Sequence, residues 1–173
     1  MAVGEPKIDC QAIVRHGPID GDVVSIVKRR REARMTVFKN VVRCTGTNTA
    51  TLTMSGIKDA AIGAPVAYGG RADTLNPEEL FVASINSCLM LVFYHFAQKL
   101  AVDVQSYESH IEAPVEKTKD GLRFTHVDVQ ARVRATGEDL SDKAQKLAEL
   151  AERYCLISNA LSCPVNYHVS LAE

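Results

Sequence analysis

A surplus of charge is the first thing this sequence lacks: 20 lysines and arginines face 21 aspartates and glutamates, leaving a net charge of −1 at pH 7. Coating nucleic acid or an anionic membrane takes an excess of basic side chains to displace counterions, so neither partner is expected. A clean membrane-length apolar run is also missing. The longest, within residues 80–100, is interrupted by Asn86, Ser87, His95 and Gln98 and falls short of about 18 uninterrupted residues. No charged segment followed by an apolar core stands at the start, so no secretory signal is expected. The phosphate loop G-x-x-x-x-G-K-[ST], a strand-coupled G-x-G-x-x-G and the G-x-S-x-G elbow are absent, which removes the simplest nucleotide and serine-hydrolase readings. Without C-x-x-C or H-E-x-x-H, a zinc site would need scattered ligands, and no metal or cofactor is expected. The five cysteines are odd in number and widely spread, unlike a secreted disulfide framework, so a reducing cytoplasm is the expected setting.

What is present fits one domain, since 173 residues lie within the usual range for one. Residues 1–35 read as an N-terminal extension. Its first 21 residues have no steady period, and 22–35 suit a helix or a strand ending in the basic run KRRREAR. From 36 to 54, β-branched residues around a Gly46/Asn48 turn predict an antiparallel hairpin. The glycines and prolines of 55–74 predict loop, with at most a short strand at 66–68. Asn76 as N-cap, Pro77 at the first helical position and Glu78 and Glu79 in the first turn then specify a helix start. The helix that follows is apolar around nearly its whole circumference over about 25 residues, roughly 37 Å. A chain this small has trouble enclosing such a helix, so a partner subunit is expected to complete its cover.

Strands VQSYESHIEAPVE and LRFTHVDVQARVRA follow, the latter with Val127, Val129, Ala131 and Val133 on one face. Asp139 or Ser141 caps an amphipathic helix carrying Ala144, Leu147, Ala148, Leu150 and Ala151, and PVNYHVSL is the last strand. The fold class is α+β, with helices and antiparallel strands in blocks rather than a βαβ rhythm.

Candidate chemistry narrows to two thiols. His95 lies seven residues beyond Cys88, about 10 Å along a helix, too far for a catalytic pair, and reads as a polar tip at the edge of the core. The run KRRREAR is balanced by acids elsewhere and reads as a solvated face. Cys88 sits among Ser84, Asn86 and Ser87, a polar notch that is costly in an apolar helix unless something uses it. The bland alternative is a small buried hydrophobe. Cys155 falls where the second helix breaks, ahead of Ser158 and Asn159, which suit a short helical turn whose start would lower a thiol's pKa.

The stretch GGRADTLNPEELFVASINSCLMLVFYHFAQKLAV and the later CLISNALSCPVNYHVSL resemble the two cysteine segments of the OsmC/Ohr family, and the resemblance extends over about residues 36–171. It implies an intertwined homodimer with antiparallel sheets wrapped around two long central helices. It also implies a thiol peroxidase in which Cys88 reduces an organic (alkyl or lipid) hydroperoxide to the alcohol. The resulting sulfenic acid condenses with Cys155, and a dithiol, such as a lipoylated protein, reduces the disulfide. The register of the last strand places Cys155 at the family's second cysteine, with Leu156 where proline often stands and Cys163 at the helix-to-strand turn. Cys10 and Cys44 lie outside both motifs.

Glu78 corresponds to the family's active-site glutamate. Ten residues of continuous helix would put it about 15 Å from Cys88, so either it reaches the partner subunit's Cys88 or the chain is not yet helical there. The family's arginine follows a Gly-Gly in the first hairpin, where this chain has CTGTNT, and Arg43 and Arg71 are the substitutes. Lacking a guanidinium at that position, the chain also fits a second expectation: a protein of the same fold that binds a hydrophobic small molecule beside a slow thiol. A third is a structural dimer that uses KRRREAR as an interaction surface.

Overall fold

The computed structural model describes residues 36–46 and 48–172, so the extension, with Cys10 and KRRREAR, lies outside the described residues. The chain divides into two compact units between Thr74 and Leu75.

The first unit is a three-stranded antiparallel sheet. The strands β1 (Asn40–Gly46) and β2 (Thr49–Met54) form the expected hairpin, with Arg43 opposite Thr51 and Cys44 opposite Ala50. Asn48 takes a left-handed φ of 58° at its turn. A third strand, β3 (Ala60–Gly63), pairs with β2. The short strand expected at 66–68 is instead a 3₁₀ turn, Val66–Tyr68, and the strand of this loop lies six residues earlier. Ala-Ala-Ile-Gly is too small and brief to show an alternating pattern, and pairing with β2 rather than its own propensity makes it a strand. The Gly-Gly loop has a steric cause: a Cβ on Gly70 would meet the Ala64 carbonyl oxygen at 1.6 Å.

The second unit is built on α1 (Pro77–Lys99). Its start is as read: Asn76 is the N-cap, and its Oδ1 accepts from the Glu79 amide at 2.8 Å. Because α1 is helical from Pro77, a non-helical Glu78 is excluded. Against α1 pack β4 (Asp103–Glu112) and α2 (Leu140–Tyr154).

Two expected strands resolve into four. The pair β4 and β7 (Val127–Thr136) is antiparallel, while β5 (Val115–Thr118) and β6 (Gly121–Phe124) form a separate hairpin between them. β8 (Val165–Leu171) joins the other edge of β7 in parallel, giving the order β4-β7-β8. The block-like, wholly antiparallel arrangement is therefore corrected at one place. With α2 as the crossover between them, β7 and β8 form a βαβ unit, because a helix of 15 residues returns the chain to the end from which β7 began. Asp139 precedes α2 in a left-handed conformation and makes no side-chain cap.

The core is where these elements meet. Ile85, Leu89 and Phe93 of α1, Val127, Val129 and Val133 of β7, and Leu147 and Ala151 of α2 are all within 1% of complete burial. Each large side chain of this kind contributes about 1.5–3 kcal/mol. Beyond these, Ala97 is the other fully buried residue of α1, Phe81, Cys88, Val92 and Phe96 are partly buried against the core, and Leu91 on the opposite side is 63% exposed. By length and composition the helix would suffice for a membrane crossing, with a mean hydropathy of 1.7 over its most apolar 18-residue window. The interruptions noted in the sequence are thus milder than they look. Its packing against β4 and α2 accounts for the covered face.

Candidate active site

The polar notch around Cys88 turns out to be internally satisfied. Ser84 Oγ donates to the Phe81 carbonyl at 2.6 Å and Ser87 Oγ to the Ala83 carbonyl at 2.7 Å, both within the helix. Asn86 Oδ1 accepts from Ser109 Oγ on β4 at 2.7 Å. These residues cost little where they stand, and their presence alone is no argument for chemistry.

The thiols themselves supply that argument. Cys88 is half-buried on α1, while Cys155 is fully buried at the C-cap of α2. They are neighbours, and burial pushes the Cys88 thiol above the ordinary range. The backbone amide of Ile157 opposes that rise, the adjacent Cys155 side chain adds to it, and the Leu156 amide opposes it again. None of these groups is cationic. The turn after α2 serves both sulfurs: Leu156 and Ile157 direct amides at Cys88, and Ser158 donates its hydroxyl to Cys155 Sγ at 3.0 Å and its amide at 3.4 Å. The turn is fastened by the Asn159 amide on the Cys155 carbonyl at 3.1 Å and by Asn159 Nδ2 on the Arg153 carbonyl at 2.9 Å.

Cys88 opens into a pocket of about 470 Å³ lined by Leu91, Val92, Phe96, Tyr154 and Ile157, with Ser84, Ser87 and His95. Its walls suit an alkyl or aromatic group. His95, read from sequence as an edge-of-core tip, is exposed and faces this pocket. The amides of 156 and 157 and the pocket aromatics had no sequence signature. The Ser-Asn pair after Cys155 was the one visible sign of the turn.

The remaining candidates have surroundings of their own. Glu78 is ten residues along the same continuous helix from Cys88, about 15 Å, and its Oε2 is shielded from solvent without a hydrogen-bond partner among the described residues. Arg43 and Arg71 belong to the first unit. Arg43 is exposed and donates to Thr53 Oγ1 at 3.4 Å. Arg71 makes a two-pronged ion pair with Asp73, whose hydrogen bond and charge raise the arginine's pKa. Cys163 is half-buried against the core and Cys44 is exposed on β1. No group of three or more His, Cys, Asp or Glu able to hold a metal lies among the described residues.

Fold and site together define an α+β protein with one free thiol, Cys88, in the wall of an apolar pocket and a second, Cys155, buried beside it. A family model described as OsmC-like protein matches residues 70–170. The chain belongs to the OsmC-like protein family. It is 25% identical over 122 residues, 70% of its own length, to an uncharacterised protein of Methanocaldococcus jannaschii, and spans 61% of that relative. An OsmC-like protein of unknown function from Vibrio cholerae superposes with a TM-score of 0.72 at 23% identity, covering 79% of this chain and 100% of that one. The organic hydroperoxide resistance protein OhrB of Bacillus subtilis gives 0.55 at 25% identity, covering 79% and 98%. An organic hydroperoxide resistance protein OsmC from Legionella pneumophila gives 0.63 at 21% identity, covering 80% and 100%.

Proposed function

We propose that this protein is a thiol-dependent peroxidase that reduces organic hydroperoxides to alcohols. One observation carries the reading: a pocket-facing thiol and a buried thiol stand together, and a single turn aims hydrogen-bond donors at both sulfurs. Solved relatives named organic hydroperoxide resistance proteins support the substrate class.

In the proposed cycle the Cys88 thiolate attacks the distal peroxide oxygen. The O–O bond breaks, the alkoxide takes a proton and leaves as the alcohol, and Cys88 becomes a sulfenic acid. Cys155 then attacks the Cys88 sulfur, forming the disulfide and releasing water. An external dithiol, such as a lipoylated protein, restores both thiols and is itself oxidised to a disulfide. The apolar pocket walls favour an alkyl or lipid hydroperoxide over hydrogen peroxide.

The homodimer is part of the proposal, since the apolar circumference of α1 exceeds what this chain covers. So is Glu78, as a carboxylate reaching the partner's Cys88, with Arg43 or Arg71 supplying the guanidinium that holds the thiolate. The test is consumption of cumene hydroperoxide with dihydrolipoamide. Wild type turns over and Cys88→Ser does not; equal inertness of the two overturns the reading.

The upward push on the Cys88 thiol favours a second reading, binding of a hydrophobic small molecule in the same pocket beside a slow thiol. That reading predicts saturable binding of an apolar ligand, unchanged by Cys88→Ser, in a protein that consumes no hydroperoxide.

A further inference from the structure

Cys155 has no exposed surface, whereas Cys88 faces the pocket. This asymmetry fixes the direction of disulfide reduction. An incoming dithiol can reach only the Cys88 sulfur, so the electron pair of the breaking S–S bond must depart onto Cys155. A charge arriving on a buried sulfur needs local donors, because water cannot supply them. Ser158 provides two, its hydroxyl at 3.0 Å and its amide at 3.4 Å.

The turn does not need that hydroxyl to fold. Its backbone is held by the Asn159 amide on the Cys155 carbonyl, the Ala160 amide on Ile157 and the Leu161 amide on Ser158, and by the Asn159 side chain on Arg153. Sulfur in a neutral thiol is a weak acceptor, and hydrogen bonds strengthen when the acceptor is ionised. The Ser158 hydroxyl therefore contributes little to a resting thiol and much to a departing thiolate.

We infer that Ser158 is a positioning residue for the thiol pair, stabilising Cys155 as the leaving sulfur when the Cys88–Cys155 disulfide is reduced and as the attacking sulfur when it forms. In reduction, the dithiol's thiolate bonds to Cys88, the S–S bond breaks, and Cys155 leaves as the thiolate and later takes a proton. The second thiol of the reagent then displaces Cys88, leaving the reagent a cyclic disulfide. In formation, Cys155 bonds to the sulfenic sulfur of Cys88, the S–O bond breaks, and the departing hydroxide takes the Cys155 proton as water. With Ser158 donating twice to Cys155, the thiol's own hydrogen is directed away from Ser158.

The role rests on the paired-thiol reading above, but its test requires no hydroperoxide. The full-length protein is oxidised with diamide, the Cys88–Cys155 disulfide is confirmed by peptide mass, and its reduction by dithiothreitol is followed across pH. Ser158→Ala is expected to slow reduction about tenfold, the scale of one charge-assisted hydrogen bond. The isosteric pair Ser158→Thr and Ser158→Val separates hydroxyl from shape: threonine keeps the wild-type rate and pH profile, and valine follows alanine. Equal rates in wild type and Ser158→Ala, equal rates in Thr and Val, or no Cys88–Cys155 disulfide in the wild type each overturn the inference. Failure of peroxide turnover alone would strike the peroxidase reading and leave this result standing.

Discussion

At the scale of single residues, the site is a contest over one sulfur. Burial raises the Cys88 thiol, the amides of Ile157 and Leu156 pull it down, and its neighbour Cys155 raises it again. The net direction is upward, so the reactive thiolate is the minority form at neutral pH. The rate of Cys88 oxidation by cumene hydroperoxide should therefore climb with pH and level off above the ordinary thiol range, as stopped-flow profiles would show. A plateau already reached at pH 7 would mean that a cation holds the thiolate, and loss of that plateau in Arg43→Ala or Arg71→Ala would identify which arginine. The same shift acts on stability with the opposite sense. The fold favours the neutral thiol, so Cys88's contribution is complete below the ordinary thiol pKa and is lost as pH rises from there through the raised value. Cys88 and Cys155 stand out in the sequence because of their neighbours: one sits among Ser84, Asn86 and Ser87 in an apolar helix, the other precedes Ser158 and Asn159 at a helix break. The donors that bracket them were not, since two of the three amides belong to Leu156 and Ile157, whose side chains say nothing of where their backbones point.

At the scale of elements, capping and burial make separate, measurable contributions. Asn76→Ala removes the acceptor of the Glu79 amide and should cost about 1 kcal/mol in urea unfolding. Leu147→Ala, at a fully buried position of α2 facing the core, should cost about 2–5 kcal/mol, with the larger loss if the cavity does not collapse. A result of equal size for the two would contradict the packing described. Here the sequence was readable in proportion to how locally each element is determined. The cap of α1, the hairpin of β1 and β2, and the buried face of β7 each carry their own signal in residue order. The parallel pairing of β7 with β8 does not: an alternating strand looks alike in either direction, and only the crossover through α2 decides it. The split into β4 to β7 was missed for a related reason, because the hairpin of β5 and β6 continues the strand-like composition on both sides without a break other than Ala113-Pro114 and Thr125-His126.

At the scale of the whole molecule, α1 presents the largest imbalance between composition and cover. A 23-residue apolar helix with one face packed and Leu91 63% exposed suits a second copy of the chain, and sedimentation equilibrium should give twice the monomer mass. Leu91→Glu should shift that equilibrium toward monomer; a wild type monomeric at micromolar concentration would rule the dimer out. Oxidation of Cys88 by an organic hydroperoxide and its resolution by Cys155 are both read in the intact mass of the reduced protein after one equivalent of cumene hydroperoxide. The expected result is a loss of two hydrogens in the wild type, mapped to Cys88–Cys155, and a gain of one oxygen in Cys155→Ser. An unchanged mass in both, or an oxygen that remains in Cys88→Ser, would contradict it.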